Sequence, residues 1–308
     1  MISLGFTVRD VSFTYASWPG RWGTPAAGIA WILTALIAGR SPAASLTVLI
    51  AGALAIASGA RWLQRDGVTR GTTPGVNLEA KRGEPAIWLV AHLDSKSQPI
   101  PILVRAVAIV ACIIAWIVLV VLSILRVEGL AWQIATLAAV LAGLPVAIST
   151  VGAKSPGALD NATGVTAVLL AAERVDRAVP LGVLITSAEE LGLAGARAWV
   201  RHQPTKAAVI NCDTIDDHGY LTIMHSHGRP ERLIRAFERR AVRVRRVLPG
   251  ILVDSIAFAE AGWDAVTVSR GTLATLARVH RRIDTPEALS GSGVAGAADV
   301  IAEALVHV

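Results

Sequence analysis

Two hydrophobic patterns alternate along the chain. Four long apolar stretches are bounded by charges: Trp22 to Gly39 between Arg21 and Arg40, Ser41 to Ala60 between Arg40 and Arg61, Ala106 to Leu125 between Arg105 and Arg126, and Gly129 to Ala153 between Glu128 and Lys154. Each approaches or exceeds the ~20 residues that a helix needs to cross about 30 Å of hydrocarbon. They predict about four transmembrane helices in two hairpins, residues 22–60 and 100–153. In the first stretch Gly23, Pro25 and Gly28 shorten the helical part and leave a re-entrant or interfacial helix as the alternative. Ala106 to Leu125 carries no charge at all, which argues against a buried core helix.

Elsewhere the apolar runs are short. Ala86 to His92, Leu181 to Ser187, Lys206 to Asp213, Tyr220 to His225 and Asp264 to Ser269 read as buried strands. Helical patterns lie between and after them, at Ala162 to Val175, Leu191 to His202, Pro230 to Val242 and Ser292 to Val306. This alternation predicts an α/β domain, a mainly parallel sheet with helices on both faces. The division expected is an amino-terminal cytoplasmic segment (1–21), a first hairpin (22–60), a linker and the start of the domain (61–99), a second hairpin inserted into it (100–153), and the remainder of the domain (154–308). The Gly/Thr/Pro-rich Gly67 to Gly75 is the expected joint.

Composition supports the membrane segments, because 53% hydrophobic residues and a mean hydropathy of +0.55 exceed what an ordinary soluble domain carries. Residues 1–21 do not resemble the basic start of a cleaved secretory signal. With only Cys112 and Cys212, nothing suggests a disulfide framework. A net charge of +6 raises the question of nucleic acid. Two hairpins would instead put Arg9, Arg21, Arg61, Arg65, Arg70, Lys96, Arg105 and Lys154 on one side and Arg40 and Arg126 on the other, a positive-inside bias that places the amino terminus and everything after Lys154 in the cytoplasm of a multi-pass cell-membrane protein. Trp18, Trp22 and Trp62 suit the same interface. The arginines from Arg232 to Arg246 read as the solvated face of a helix, and no interleaved aromatics suggest base stacking.

Five residues able to bind metal recur in the order His, Asp, Glu, Asp, His: His92 in Val-Ala-His-Leu-Asp-Ser, Asp160 in Gly-Ala-Leu-Asp-Asn-Ala-Thr-Gly-Val, Glu190 in Ser-Ala-Glu-Glu-Leu-Gly-Leu, Asp213 in Ile-Asn-Cys-Asp, and His280 in Val-His-Arg-Arg-Ile-Asp-Thr. Two imidazoles and three carboxylates suffice for two zinc ions if one carboxylate bridges them. His92, Glu189 with Glu190, and Asp213 fall at or just past the carboxyl ends of predicted strands, where open α/β sheets place their sites. Singly, each has a plainer reading: Asp160 as a helix cap, Glu189 and Glu190 as charges at a helix start, His280 as a surface histidine. Asp94, two residues after His92, and Asp284, four after His280, stand where they could orient the imidazoles.

These phrases resemble the dinuclear zinc exopeptidases of metallopeptidase family 28, which include aminopeptidases and relatives of glutamate carboxypeptidase. The resemblance runs from about Glu84 to Val308 apart from the third and fourth apolar stretches. It implies that Asp160 bridges the ions, that His92 and Asp213 complete one site and Glu190 and His280 the other, and that Glu189 is the general base, with Asp94 supporting the catalytic set. Asp254-Ser255 with Phe258 resembles the segment before the family's last histidine. The chain departs from the pattern in the sixty-eight positions between His92 and Asp160, where a hydrophobic hairpin intervenes, and in Arg281 and Arg282, where relatives carry a small hydroxyl residue and a variable one.

The resemblance implies a membrane-anchored aminopeptidase with two Zn2+ ions that acts on peptides. Glutaminyl cyclisation, another amide hydrolysis, and a non-catalytic receptor or assembly protein are the alternatives on the same scaffold. His92 precedes the third stretch, and Asp160 follows the fourth, by so few residues that the site is expected within ~25 Å of the bilayer at ~3.3–3.6 Å per residue. Membrane-proximal peptides are one expected substrate class, and a general peptidase that the spans merely anchor is the alternative.

Overall fold

The structure, a computed structural model, describes residues 1–39, 42–63, 71–238, 240, 242–248 and 250–307. Arg40, Arg65 and Arg70 of the charge asymmetry, and part of the Gly67 to Gly75 joint, lie outside the described residues. The chain forms two compact units, Ala16–Gly71 with Ser97–Gly152 and Met1–Tyr15 with Thr72–Lys96 and Ala153–Val308.

The first unit is four helices: α1 (Trp18–Ala38), α2 (Pro42–Leu63), α3 (Ile102–Ile124) and α4 (Leu130–Ala147). Their buried seam is small, built of Ala35, Ala38, Leu49, Leu119, Trp132 and Ala139. Small residues let backbones approach. A Cβ on Gly28 would lie 2.3 Å from the Ala147 backbone nitrogen, so this glycine permits contact between α1 and α4 and does not end the helix. Indole donors cross the seam, from Trp31 Nε1 to the Ala139 carbonyl at 2.8 Å and from Trp116 Nε1 to the Leu49 carbonyl at 3.2 Å. Outward, Val107, Ile113, Ile117 and Leu137 are exposed.

Among the described residues three helices are long and apolar enough to cross a membrane: Ala44–Arg61 of α2, α3 and α4. The fourth expected span, α1, is a continuous helix of 21 residues but is not one of the three. Its first turns carry Arg21, Gly23, Thr24 and Pro25, which dilute its hydropathy.

The second unit is built on one sheet of eight strands: β1 (Thr7–Ala16), β2 (Thr72–Arg82), β3 (Ile87–His92), β4 (Leu181–Thr186), β5 (Ala208–Ile215), β6 (Tyr220–His225), β7 (Arg243–Arg246) and β8 (Asp264–Gly271), in the order β1-β2-β4-β3-β5-β8-β6-β7. The centre, β4-β3-β5-β8, is parallel, while β2 and β6 run antiparallel to β4 and β8. The sheet is therefore mixed, and its helices are α5 (Thr163–Arg174), α6 (Ala194–Val200), α7 (Glu231–Phe237), α8 (Ser255–Glu260), α9 (Leu273–Arg278) and α10 (Ser292–Leu305).

Strand alternation builds two cores. Ile87, Leu89 and Ala91 face Val168, Ala171, Ala298 and Ile301 of α5 and α10, whereas Trp88 and Val90 point the other way, to Trp199 of α6 and Phe258 of α8. Both faces are covered, which is why these strands read as unbroken apolar runs.

Two expectations change. Residues 1–21 were expected as a separate segment, yet Thr7–Ala16 is the edge strand β1. Val11, Phe13 and Tyr15 recur at period two and are half-buried while their neighbours are more exposed, a pattern half-masked by the charges of Arg9 and Asp10. The Arg232 to Arg246 cluster is not one helical face. It divides between α7, which ends at Phe237, and the edge strand β7, because Val242 and Val244 pack on the sheet core at the period of a strand.

Candidate metal centre

Parallel pairing of β4, β3 and β5 sets their carboxyl ends side by side. His92 is the last residue of β3, level with Thr186 at the end of β4, and Glu189 and Glu190 follow in the next turn. Asp213 lies in β5 where its register with β8 shifts, between Cys212 and Ile215. Such an irregularity re-aims a side chain at a strand end. Ala188, Thr214 and His280 all have positive φ, at 57°, 57° and 63°, a left-handed backbone that residues with a Cβ adopt at a cost. They are the residue before Glu189, the residue after Asp213, and the last candidate ligand itself.

Asp160 comes from the turn leading into α5, and Asn161 fixes that turn against β5. Its Oδ1 accepts from the backbone N–H of Gly164 and Thr214, both at 3.1 Å, and its Nδ2 donates to the Cys212 carbonyl at 2.9 Å. A Cβ on Gly164 would lie 2.2 Å from Asn161 Oδ1 and 2.5 Å from the Cys212 carbonyl oxygen. Close approach therefore explains Asp-Asn-Ala-Thr-Gly as a unit.

All five sequence candidates and Glu189 are buried and meet. Asp160 is shared by the imidazoles: Oδ1 is 3.1 Å from His92 Nε2, and Oδ2 is 2.9 Å from His280 Nε2. Glu190 Oε1 is 3.2 Å from His280 Nε2. Glu189 Oε2 and Asp213 Oδ2 each lie 3.9 Å from His92 Nε2. Two groups able to hold an ion result, His92 with Glu189 and Asp213, and Asp160 with Glu190 and His280. Glu189 thus stands among ligand-like atoms, where the resemblance had implied Asp160 beside His92 and Asp213.

The supporting carboxylates act differently from the sequence expectation. His92 Nδ1 lies 3.0 Å from the backbone carbonyl of Asp94. A carbonyl only accepts, so Nδ1 carries the proton and Nε2 presents its lone pair to the cluster. The Asp94 carboxylate is 3.8 Å from Nδ1 and instead accepts from the N–H of Glu189 and Glu190, at 3.1 and 3.2 Å. The Asp94 carboxylate is therefore a clamp on the Glu189-Glu190 turn. Asp284 accepts from the N–H of Leu159 and Asp160 at 2.7 and 3.2 Å, tying the His280 loop to the shared aspartate.

Electrostatics follow from burying four carboxylates with two imidazoles. Burial, with Glu190, Asp213 and Asp254 nearby, pushes the Glu189 carboxyl well above the usual range despite His92. Burial raises Asp213 to about 7 and Asp254 to about 6. Burial disfavours charge on His92, but Glu189, Asp160 and Asp213 outweigh it and raise the imidazole. Burial also works against the Asp160 carboxylate, yet the imidazoles of His280 and His92 that face it hold it well below the usual range. Negative charge in excess of the available imidazoles calls for cations.

The residues fit metal. His92 Nε2 and Glu190 Oε1 are buried without a hydrogen-bond partner, a cost that coordination would remove. The imidazole–carboxylate separations of 2.9, 3.1 and 3.2 Å are close to the about 3.3 Å edge of a tetrahedron with ~2.0–2.1 Å bonds. Cys212, next to Asp213, has its thiol pushed up by burial and offers no nucleophile.

Two residues of this neighbourhood were missed as site members. Asp254, buried, accepts from Thr186 Oγ1 at the end of β4; the family resemblance of Asp254-Ser255 was its only signal. Lys96 was read as a flanking charge, but its Nζ is 2.5 Å from Glu190 Oε2 and its side chain is only 18% exposed.

The sequence model of peptidase family M28 matches residues 76–305. No curated protein matches the sequence significantly. Among solved structures, the chain is similar to the aminopeptidase from Aneurinibacillus sp. strain AM-1, at 15% identity and a TM-score of 0.50, over 76% of this chain and 48% of that one. BSAP, a zinc aminopeptidase from Bacillus subtilis, gives 18% identity and a TM-score of 0.49, over 77% and 50% of the two chains. The chain spans about half the length of these proteins, and at such identities the first likeness speaks to fold. The family match extends over well more than half of the residues and includes most of β2 and every strand from β3 to β8, so the chain belongs to peptidase family M28.

Proposed function

We propose that the chain is a membrane-anchored, zinc-dependent aminopeptidase. The observation that carries this reading is Asp160, whose two oxygens each face a different imidazole, at 3.1 and 2.9 Å. One carboxylate so placed is suited to join two ions. His92 and Asp213 would hold one zinc, Glu190 and His280 the other, with Asp160 spanning both. When bound, the ions supply Lewis acidity, acidifying a water and polarising the scissile carbonyl.

Glu189 is the general base. Burial and the neighbouring carboxylates raise its carboxyl above that of an ordinary glutamate, which favours capture of a proton. It takes the proton of the attacking water and delivers it to the leaving amine. Asp94 holds the Glu189-Glu190 turn by two backbone N–H groups, so base and neighbouring ligand keep their relative aim. Trimming from the amino terminus is proposed because a zinc ion with an open position would coordinate a free α-amine.

α2, α3 and α4 support the anchor, being long and apolar enough to cross a membrane. The proposed topology puts both termini and the sheet unit on the cytoplasmic side, following the positive-inside asymmetry. Substrates are proposed to be peptides at or near the bilayer.

Activity is tested on a panel of aminoacyl amides with the purified full chain. Glu189→Gln should retain zinc and lose hydrolysis by ~10²-fold or more, and Asp160→Ala should lose both metal and hydrolysis. Full activity in Glu189→Gln, or after chelation, would defeat the mechanism. For topology, reporters before Met1 and after Val308 should agree on the cytoplasm while one near Arg126 reports the opposite face. Disagreement between the termini would mean an odd number of crossings and remove α1 as a span.

A further inference from the structure

Glu190 divides its two oxygens between different partners. Oε1 faces His280 Nε2 at 3.2 Å and is buried without a hydrogen bond, while Oε2 is 2.5 Å from the ammonium of Lys96. The half of the cluster built on His92 has no such pairing: Asp213 and Glu189 face the imidazole of His92 instead. We propose that Lys96 is a resident cation that weakens metal binding at the Glu190–His280 half, so that the two ions are held with unequal affinity and the second is exchangeable. This rests on the reading of the cluster as a two-metal centre.

A largely buried ammonium needs a partner, since water cannot solvate it fully. Lys96 therefore keeps Glu190 Oε2 when an ion arrives at Oε1. The carboxylate then donates less charge to the ion, and two cations are left sharing one anion. Lys96 has an opposing effect, because an outer partner that orients a ligand typically improves affinity by ~10–100-fold. Here that contribution is small. Glu190 is already positioned through its backbone N–H, which donates to Asp94 at 3.2 Å, and Glu189 is held from the same carboxylate. Charge therefore wins over orientation. Hydrolysis by this chain would follow the zinc supply across a range in which the first site is already full.

The test is a zinc titration of the purified full chain in detergent, against a competing chelator, with bound metal counted by mass spectrometry. The wild type should bind two ions with dissociation constants at least ~10-fold apart. Lys96→Met and Lys96→Gln should tighten the weaker site by ~10-fold while leaving the tighter one nearly unchanged, and Lys96→Arg, which keeps the charge, should preserve the gap. Circular dichroism confirms that each variant folds, and the Gln variant retains a hydrogen-bond donor should the Met variant fail. An unchanged or weakened second site in both neutral variants overturns the proposal, as do two equal affinities in the wild type, and either result leaves the two-metal reading standing. Binding of no zinc by any form defeats that reading and this inference with it.

Discussion

Leucine, isoleucine and valine serve opposite ends in the two units. In the sheet unit Leu89, Val90, Ile210 and Val266 are wholly buried, whereas in the helical unit Val107, Ile113, Ile117 and Leu137 are each at least half exposed. The sheet unit folds by removing apolar surface from water. The outward faces of the helices are what hydrocarbon would solvate, and the helices hold to one another through small residues and indole hydrogen bonds such as Trp31 to Ala139. The same composition thus describes two solvents. Polar chemistry follows the division: the sheet unit hides His92, Asp160, Glu189, Glu190, Asp213 and His280 behind strand ends, while Ser123 Oγ of the helices meets Ser45 Oγ at 2.6 Å and donates to the Leu119 carbonyl at 2.8 Å.

Truncation in each unit would break or sharpen this contrast most strongly. Leu89→Ala leaves a cavity between β3 and α5 and should cost roughly 2–5 kcal/mol; Ile113→Ala on the outer face of α3 should cost well under that in detergent or lipid. Urea or thermal unfolding measured on both variants decides the matter, and equal losses would mean that the helical unit is packed like a water-soluble core. Ile113→Arg completes the comparison, with roughly 2.5–3.5 kcal/mol against membrane insertion, read from the fraction integrated into membranes.

A smaller effect is expected at the start of α10. Asp217 accepts from the N–H of Ser290 and Gly293, at 2.5 and 2.8 Å, and from Ser292 Oγ at 3.2 Å. It caps from a distance a helix whose own cap, Gly291, has no side chain to offer. Desolvation works against this carboxylate, yet the hydrogen bonds together hold it well below the usual range. A folded-state pKa below the unfolded one gives stability that is present above the unfolded value of about 3.9 and lost as pH falls toward the folded one. Asp217→Asn should therefore cost about 1 kcal/mol at neutral pH, and the gap from wild type should close on acidification. A gap that widened in acid would show that the carboxylate is not the stabilising form.

Much of this molecule was legible from residues in order. Uncharged runs such as Ala106 to Leu125 specify helices for hydrocarbon whatever surrounds them, since length and polarity alone decide whether a segment can satisfy its backbone there. Doubly buried strands such as Ile87–His92 announce themselves as unbroken apolar runs, and strand ends marked by His, Glu and Asp are where a parallel sheet exposes side chains to a common crevice. The order His92, Asp160, Glu190, Asp213, His280 was therefore readable as one set before any contact was known. Tertiary structure decided the rest. β1 and β7 exist because a sheet edge accepts strands whose own pattern is weak, and the single pair Val242 and Val244 is too short a period to assign Arg243–Arg246 to such an edge from sequence. The Asp94 carboxylate turned out to hold Glu189 and Glu190 by their backbone, while its backbone carbonyl meets the His92 ring, because side-chain direction depends on the neighbouring loop. Lys96 reads as one more flanking charge in sequence, and only the fold, by burying it 2.5 Å from Glu190, makes it part of the centre: an ion pair is a property of distance and burial, and sequence order carries neither.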